Sequence, residues 1–351
     1  MRKKIDYKKS GVDIDKADLA KERIKRLVRS TFDSGVLTDI GSFGGFYALA
    51  QSKCKNPVLV SSTDSVGTKL KLAFQMKKHD TIGEDIVNHC VNDILVHGAK
   101  PLFFLDYIGI GKLSPEIIQE IIKGLVRGCK KSNCSLIGGE MAQLPEFYRP
   151  DEYDLVGFVV GVVERKKIID GSKIIPGDIL LGLGSSGLHT NGYTLARKVL
   201  FEIGGYKVND YVKELKNSMG KELLKVHKSY VSSIFRVLRK HQIKGMAHIT
   251  GGGIEGNLIR ILPERCQARV DVSAWKVLPV FNLIQRAGDI KTEEMYKVFN
   301  MGIGLILVAS KNNAGKIEKE LEKSGEKVYQ IGEIVSGKKE VKLVNLEKVR
   351  R

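Results

Sequence analysis

Three acids stand where turns of the chain leave room for a polyphosphate. Asp64 opens Thr63-Asp64-Ser65-Val66-Gly67-Thr68-Lys69 after a β-branched run, Asp93 closes Asn88-His89-Cys90-Val91-Asn92-Asp93, and Glu140 follows two glycines in Leu136-Ile137-Gly138-Gly139-Glu140. Carboxylates at strand ends beside glycine can hold a hard cation such as magnesium while bare backbone approaches phosphate. Read singly, each is equally the acid of an ordinary turn or cap. Around Asp93, Asn88 and Asn92 share a helical face one turn apart, and His89 and Asp93 occupy the next. Asn and Asp are poor helix formers, so their clustering points to a cleft, with a solvated face as the alternative.

Three glycine-containing loops add possible ligand contacts. Gly41-Ser42-Phe43-Gly44-Gly45-Phe46 could fold over phosphates, but it has neither Walker nor dinucleotide spacing and reads equally as a flexible loop. Thr250-Gly251-Gly252-Gly253-Ile254 lies between a strand and a helix, where free amides could bind an anion such as a substrate phosphate. Residues 184–193, Gly-Ser-Ser-Gly-Leu-His-Thr-Asn-Gly-Tyr, crowd hydroxyl, imidazole and amide groups into one loop. A lone histidine is usually incidental, but within this loop His189 reads as a substrate contact.

The elements that must position these groups alternate along the chain. Strands are predicted at 57–62, 102–110, 135–137 and 155–163, and a helix at 82–97 with Ile86, Val87, Cys90, Val91, Ile94 and Leu95 on one broad face. Ser114-Pro115-Glu116 supplies a cap, a first-turn proline and an acid ahead of apolar residues at helical spacing through Cys129. Beyond the charged and turn-forming run Arg165–Asp178, strands are predicted at 179–183, 247–250, 268–272, 304–308 and 328–334. Helices are predicted there at 193–203, 227–241, 253–262, 278–287 and 312–324. Two mixed α and β domains are expected, 1–168 and 169–351.

Composition narrows the class. With 351 residues, 42% of them hydrophobic, the chain can fill ordinary cores, and no apolar run approaches the roughly 18 residues of a membrane span. The N-terminus runs into polar sequence, so a soluble cytoplasmic protein is expected. Five cysteines, no two at the two-residue spacing suited to zinc or redox chemistry, read as free, mostly buried thiols. The +18 charge arises from 58 basic and 40 acidic residues, many alternating near the C-terminus as on a solvated helix face. The stretch from Lys16 to Arg29 is more basic and favours anionic ligands. No finger, basic fork or aromatic strand pair accompanies the charge, so no nucleic-acid partner is expected.

Taken together, these segments resemble the aminoimidazole ribonucleotide synthetases, the phosphoribosylformylglycinamidine cyclo-ligases. The matching runs are residues 7–15, 41–46, 63–70, 90–93, 101–107, 138–140, 184–193, 248–253 and 295–300, in the family's order. The resemblance implies an α+β N-terminal domain whose sheet joins that of a second subunit in a barrel-like homodimer, and an α/β C-terminal domain. It implies ATP bound by Gly44, Gly45, Asp64, Thr68, Lys69, Gly138 and Gly139, with magnesium held by Asp64, Asp93 and Glu140. Lys25 is implied as a phosphate partner, and Lys25, Asp93 and His189 as catalytic. His189, Asn191, Thr250, Gly251 and Gly252 would bind formylglycinamidine ribonucleotide.

The chain also departs from the family pattern. Ser65 stands where glycine is usual, and Met141, Gln143 and Glu146 where threonine, glutamate and glycine are more common. Two rival readings follow: another ATP-dependent enzyme such as a small-molecule kinase, or a degenerate nucleotide-binding paralogue with a regulatory role. Retention of Asp64, Asp93 and Glu140 argues against the second. No cysteine precedes the glycine-rich loop, which disfavours selenophosphate synthesis.

Overall fold

The computed structural model describes residues 14–52 and 54–349, so most of the matching run 7–15 lies outside the described residues. The chain divides into two compact units, one reaching to Ile94 and including Lys100–Glu164, the other formed by Leu95–Ala99 and Arg165–Arg351.

The first unit contains α1 (Ile14–Arg29), β1 (Pro57–Ser65), α2 (Leu70–Met76), α3 (Asp80–Leu95), β2 (Lys100–Ile110), α4 (Pro115–Ser132), β3 (Ser135–Gln143) and β4 (Tyr153–Glu164). Its strands form one sheet in the order β1-β4-β2-β3, with only β2 and β3 parallel. The capping signal before α4 is realised: Ser114 Oγ accepts from Ile117 N at 3.4 Å, and Asn133 ends the helix in the left-handed region. Burial alternates along β1, so one face of this edge strand is covered and the other open. Leu59 and Phe158 lie exposed.

The helix predicted at 82–97 is α3, but it has no solvated polar face. Glu84, Asp85, Asn88, His89 and Asn92 are all buried together with its apolar residues. Burying so many polar groups is tolerated only where they are paired. α1 and α2 are further additions, since 14–29 reads in sequence mainly as a basic stretch.

The second unit begins with β5 (Ile179–Gly184), α5 (Tyr193–Arg197), β6 (Tyr211–Val212), β7 (Asn217–Ser218), α6 (Met219–Leu223), α7 (Val231–Leu238) and β8 (Gly245–His248). It continues through α8 (Gly253–Leu258), β9 (Cys266–Asp271), α9 (Pro279–Gly288), α10 (Thr292–Val298), β10 (Ile303–Ala309), α11 (Lys311–Glu322), β11 (Val328–Ser336), β12 (Glu340–Val344) and α12 (Leu346–Val349). Six strands form a sheet ordered β12-β9-β11-β5-β10-β8, and β6 pairs with β7 separately. Every residue of β5 and β10 is buried, as expected of central strands covered on both faces.

Two predicted helices differ in form. The helix predicted at 193–203 is α-helical only to Arg197; Lys198–Ile203 widens into a π-helix, and Gly204 N reaches back five residues to Val199 O at 2.8 Å. The helix predicted at 227–241 starts at Val231, because Lys228 Nζ and Tyr230 Oη bond Gly184 O and hold the preceding residues as a loop.

Candidate active site

In the first unit, β1 delivers Asp64 against α3. His89 Nε2 lies 2.9 Å from Asp64 Oδ2 and 3.8 Å from Asp93 Oδ2, while Ser62 Oγ donates to Asp93 Oδ2 at 3.1 Å. Asp64 also accepts from Ser65 N at 2.7 Å. Burial by itself raises the Asp64 pKa, but the His89 hydrogen bond and charge, with the Ser65 amide, leave it lowered. Burial likewise lowers His89, yet its Asp64 hydrogen bond and the charges of Asp93, Asp64 and Asp85 leave it raised. The result is a partly open pair of carboxylates sharing one buried imidazole. Ser65 ends β1 opposite Val156 without positive φ, so a side chain is accommodated where the family usually has glycine.

Glu140 is not part of that group. Register aligns Asp64, Gly157, Asp106 and Gly139 across the sheet, which places β3 roughly 14 Å from β1, at three strand spacings. Glu140 belongs to the next row, with Ser65, Val156 and Tyr107, and alternation turns it to the opposite face. Among the described residues, no cluster with metal-binding spacing contains Asp64, Asp93 and Glu140 together. The single three-acid cluster expected from sequence is corrected accordingly within one chain.

Gly138 and Gly139 have a different neighbour. A Cβ on Gly139 would collide with Asp106 Oδ1, so only glycine admits that carboxyl. Burial pushes the Asp106 pKa up to about 7. Its signal in sequence is an acid within the otherwise apolar strand Leu102–Ile110. The glycine-rich loop comes to the same strand: a Cβ on Gly45 would approach Ile137 O at 3.0 Å, whereas Gly44 lies open. Lys25 lies on α1, which packs on α4 and β3, and its charge helps lower Asp39 beside the Arg29–Asp39 pair.

Thr68 is exposed, but the neighbouring Lys69 is fully buried, with Nζ 2.8 Å from Asp85 Oδ2. The expected Lys69 contact to ATP is therefore corrected for its side chain. Its ammonium is committed to α3 beneath the surface.

In the second unit the two loops singled out from sequence converge. A Cβ on Gly251 would lie 3.4 Å from Asn191 Oδ1. Asn191 Nδ2 is buried with no hydrogen-bond partner, a donor left for a ligand. Asn257 Nδ2 bonds the carbonyls of Thr250, Gly251 and Gly253 at 3.3, 3.2 and 2.8 Å and shapes that turn. Asn300 braces the other loop through Ser185 Oγ at 3.0 Å and Gly187 O at 2.9 Å. Asn257 acts on carbonyls four to seven residues before it, whereas the partners of Asn300 are more than a hundred residues away.

His189, expected as a substrate contact, lies beneath the loop. It is 1% exposed, adopts φ 63°, and stacks on His227 with ring centroids 4.0 Å apart. A buried imidazole supports the loop from beneath, so direct contact with substrate is not available in this conformation.

The family model for the AIR synthase related protein N-terminal domain matches residues 48–163, and that for the C-terminal domain matches 176–344. The phosphoribosylformylglycinamidine cyclo-ligase of Pseudothermotoga lettingae is 54% identical over 335 residues, covering 95% of this chain and 98% of that protein. The enzyme of the same name from Thermodesulfovibrio yellowstonii is 54% identical over 333 residues, covering 95% and 97%. The chain belongs to the phosphoribosylformylglycinamidine cyclo-ligase family. This agrees with the family resemblance carried by its motifs.

The fold is also shared beyond the cyclo-ligase family. Thiamine-monophosphate kinase from Stenotrophomonas maltophilia K279a has a TM-score of 0.67 at 15% identity, covering 92% of this chain and 96% of that one. The hydrogenase maturation protein HypE solved in complex with ATP has a TM-score of 0.63 at 16% identity, covering 93% and 89%.

Proposed function

We propose that this chain catalyses the ATP-dependent cyclisation of formylglycinamidine ribonucleotide to aminoimidazole ribonucleotide, a ligase step of purine biosynthesis. The observation that carries this reading is its identity with cyclo-ligases across nearly the full length of both chains. ATP transfers its γ-phosphoryl to the formyl amide oxygen, and the neighbouring amidine nitrogen attacks the activated carbon. The carbon–oxygen bond breaks, the oxygen leaves on phosphate, and the imidazole ring closes. Activation is needed because an amide oxygen leaves poorly.

The proposed first domain, 1–168, binds ATP and provides the dimer contact; the second, 169–351, binds the ribonucleotide. Asp64 and Asp93 suit magnesium, because they offer carboxylate oxygens on either side of one buried imidazole, and the raised pKa of His89 marks a place where positive charge is favourable. When bound, magnesium would neutralise developing phosphate charge. Lys25, Gly44, Gly45, Thr68, Gly138 and Gly139 are assigned to ATP, with Lys25 a phosphate partner. Glu140 is assigned to the open sheet face, where a homodimer would form a barrel and bring it against a second sheet.

At the other substrate, Asn191 donates from its buried amide while Thr250, Gly251 and Gly252 line the facing turn. His189, buried and stacked on His227, is proposed to support the substrate loop from beneath. The residues chiefly align the reacting groups, and alignment alone can supply about 7–11 kcal/mol. A cytoplasmic location suits this small-molecule chemistry. Among the described residues, no helix is long and apolar enough to cross a membrane.

Incubation with formylglycinamidine ribonucleotide, ATP and magnesium should yield the imidazole product and ADP in equal amounts. Accumulation of a stable phosphorylated substrate would instead support the kinase reading, and ATP binding without turnover the degenerate one.

A further inference from the structure

His227 is a loop residue that neither the sequence motifs nor the reaction uses, yet it connects both loops proposed to hold the ribonucleotide. It is fully buried. Its Nδ1 lies 3.2 Å from Thr190 Oγ1 in the 184–193 loop, and its Nε2 lies 3.0 Å from His248 Nε2 at the end of β8, just before Thr250. Its ring face covers His189 at 4.0 Å with only 20° between the planes. The adjoining Val226 O accepts from Ser186 Oγ at 2.6 Å, so the same segment holds the loop at a second point.

A nitrogen–nitrogen contact of 3.0 Å requires one proton between two acceptor positions. If His227 donates through Nε2, its Nδ1 accepts from Thr190 and His248 must carry its proton on Nδ1. If His248 donates, His227 carries its proton on Nδ1 and donates to Thr190. Either arrangement couples the Thr190 hydroxyl to the tautomer of His248. A three-histidine metal site is the obvious alternative. Stacking argues against it, because nearly parallel rings direct their in-plane lone pairs side by side and not toward one ion.

We propose that His227 is a positioning residue for the ribonucleotide half of the site, locking the 184–193 loop to the Thr250–Gly253 turn through its bridge from Thr190 to His248. This inference rests on the proposed cyclisation. Its action is specific to the second unit, so it should govern use of the ribonucleotide and leave use of ATP unchanged.

The conservative variants separate the two ends of the bridge. In H227Q the longer amide occupies the place of Nε2 and still reaches His248; in H227N the shorter amide occupies that of Nδ1 and reaches only Thr190. H227N should raise KM for formylglycinamidine ribonucleotide about 10- to 100-fold, the usual effect of losing a buried orienting partner, with KM for ATP unchanged. H227Q, which loses the Thr190 end, should raise the same KM by a comparable factor, because either variant severs the bridge. Equal rises in both KM values, or a wild-type KM for the ribonucleotide in either variant, would overturn the inference.

The wild-type protein gives a reading independent of variant folding. With nitrogen-15 histidine, a scalar coupling across the shared proton should join the Nε2 atoms of His227 and His248. Its absence in an enzyme that forms the ring overturns the bridge. Failure to form the ring while the coupling is present overturns the reaction and leaves the bridge standing.

Discussion

His89 lies between Asp64 and Asp93, and its hydrogen bond and charge help hold the Asp64 pKa below the usual carboxylate value. Its imidazole occupies a position where two carboxylates would otherwise repel each other, and both receive its hydrogen-bonding or electrostatic support. Replacing either acid by its amide, D64N or D93N, should lower kcat at saturating magnesium by about 100-fold or more, the scale of losing preorganised charge stabilisation. The loss of turnover should far exceed the loss of thermal stability. Unchanged steady-state turnover in both variants would sink the metal assignment. A second expectation concerns stability without metal. His89 has a raised folded pKa, so its stabilisation is full below the unfolded value of about 6.5 and is lost as pH rises through the folded value. In chelator, urea midpoints of the wild type should exceed those of H89Q most between the carboxylate range and about pH 6.5, and the gap should narrow as pH rises beyond it. A gap independent of pH would contradict the protonated bridge.

At the scale of elements, α3 is organised by charge as well as apolar packing. The Lys69–Asp85 pair at 2.8 Å ties the segment after β1 to the middle of α3, one turn before His89. Removing one partner leaves the other charge buried and unpaired, so K69M should cost about 3–5 kcal/mol in denaturant unfolding. The double variant K69M/D85L should recover a large part. Little loss in K69M would contradict the structural role given to Lys69. This pair also explains a limit of sequence reading. Thr63–Lys69 is legible as a phosphate-type turn, but chain order does not reveal that Thr68 faces outward while Lys69 turns into the core. The Ser114 cap and β-branched strands were readable because their causes lie within a few residues. Sheet order was not: Gly139 meets Asp106 only because β3 lies beside β2, and His227 meets His189 across 38 intervening sequence steps. Local spacing identified the loops at 184–193 and 250–253, whereas Asn300 and His227, which help hold them, acquire meaning only through folding.

For the whole molecule, the motifs gave the family correctly because they recur in order through both domains, and relatives cover 95% of the chain. The assembly was less legible. The open face of the first sheet carries exposed Leu59 and Phe158, and Thr63, Phe158 and Leu105 align in one row. Solvated sheet faces seldom carry large apolar groups without a covering surface. A homodimer is expected in sedimentation at micromolar concentration, and F158E should shift it toward monomer and reduce activity together. A wild-type monomer across that range would count against the proposed barrel. The chemistry is tested most directly by following one atom. Formylglycinamidine ribonucleotide carrying oxygen-18 at its formyl position should, in a single turnover with ATP and magnesium, deliver that label to inorganic phosphate as the ring forms. Unlabelled phosphate beside a correctly formed ring would contradict activation of the formyl oxygen by phosphorylation.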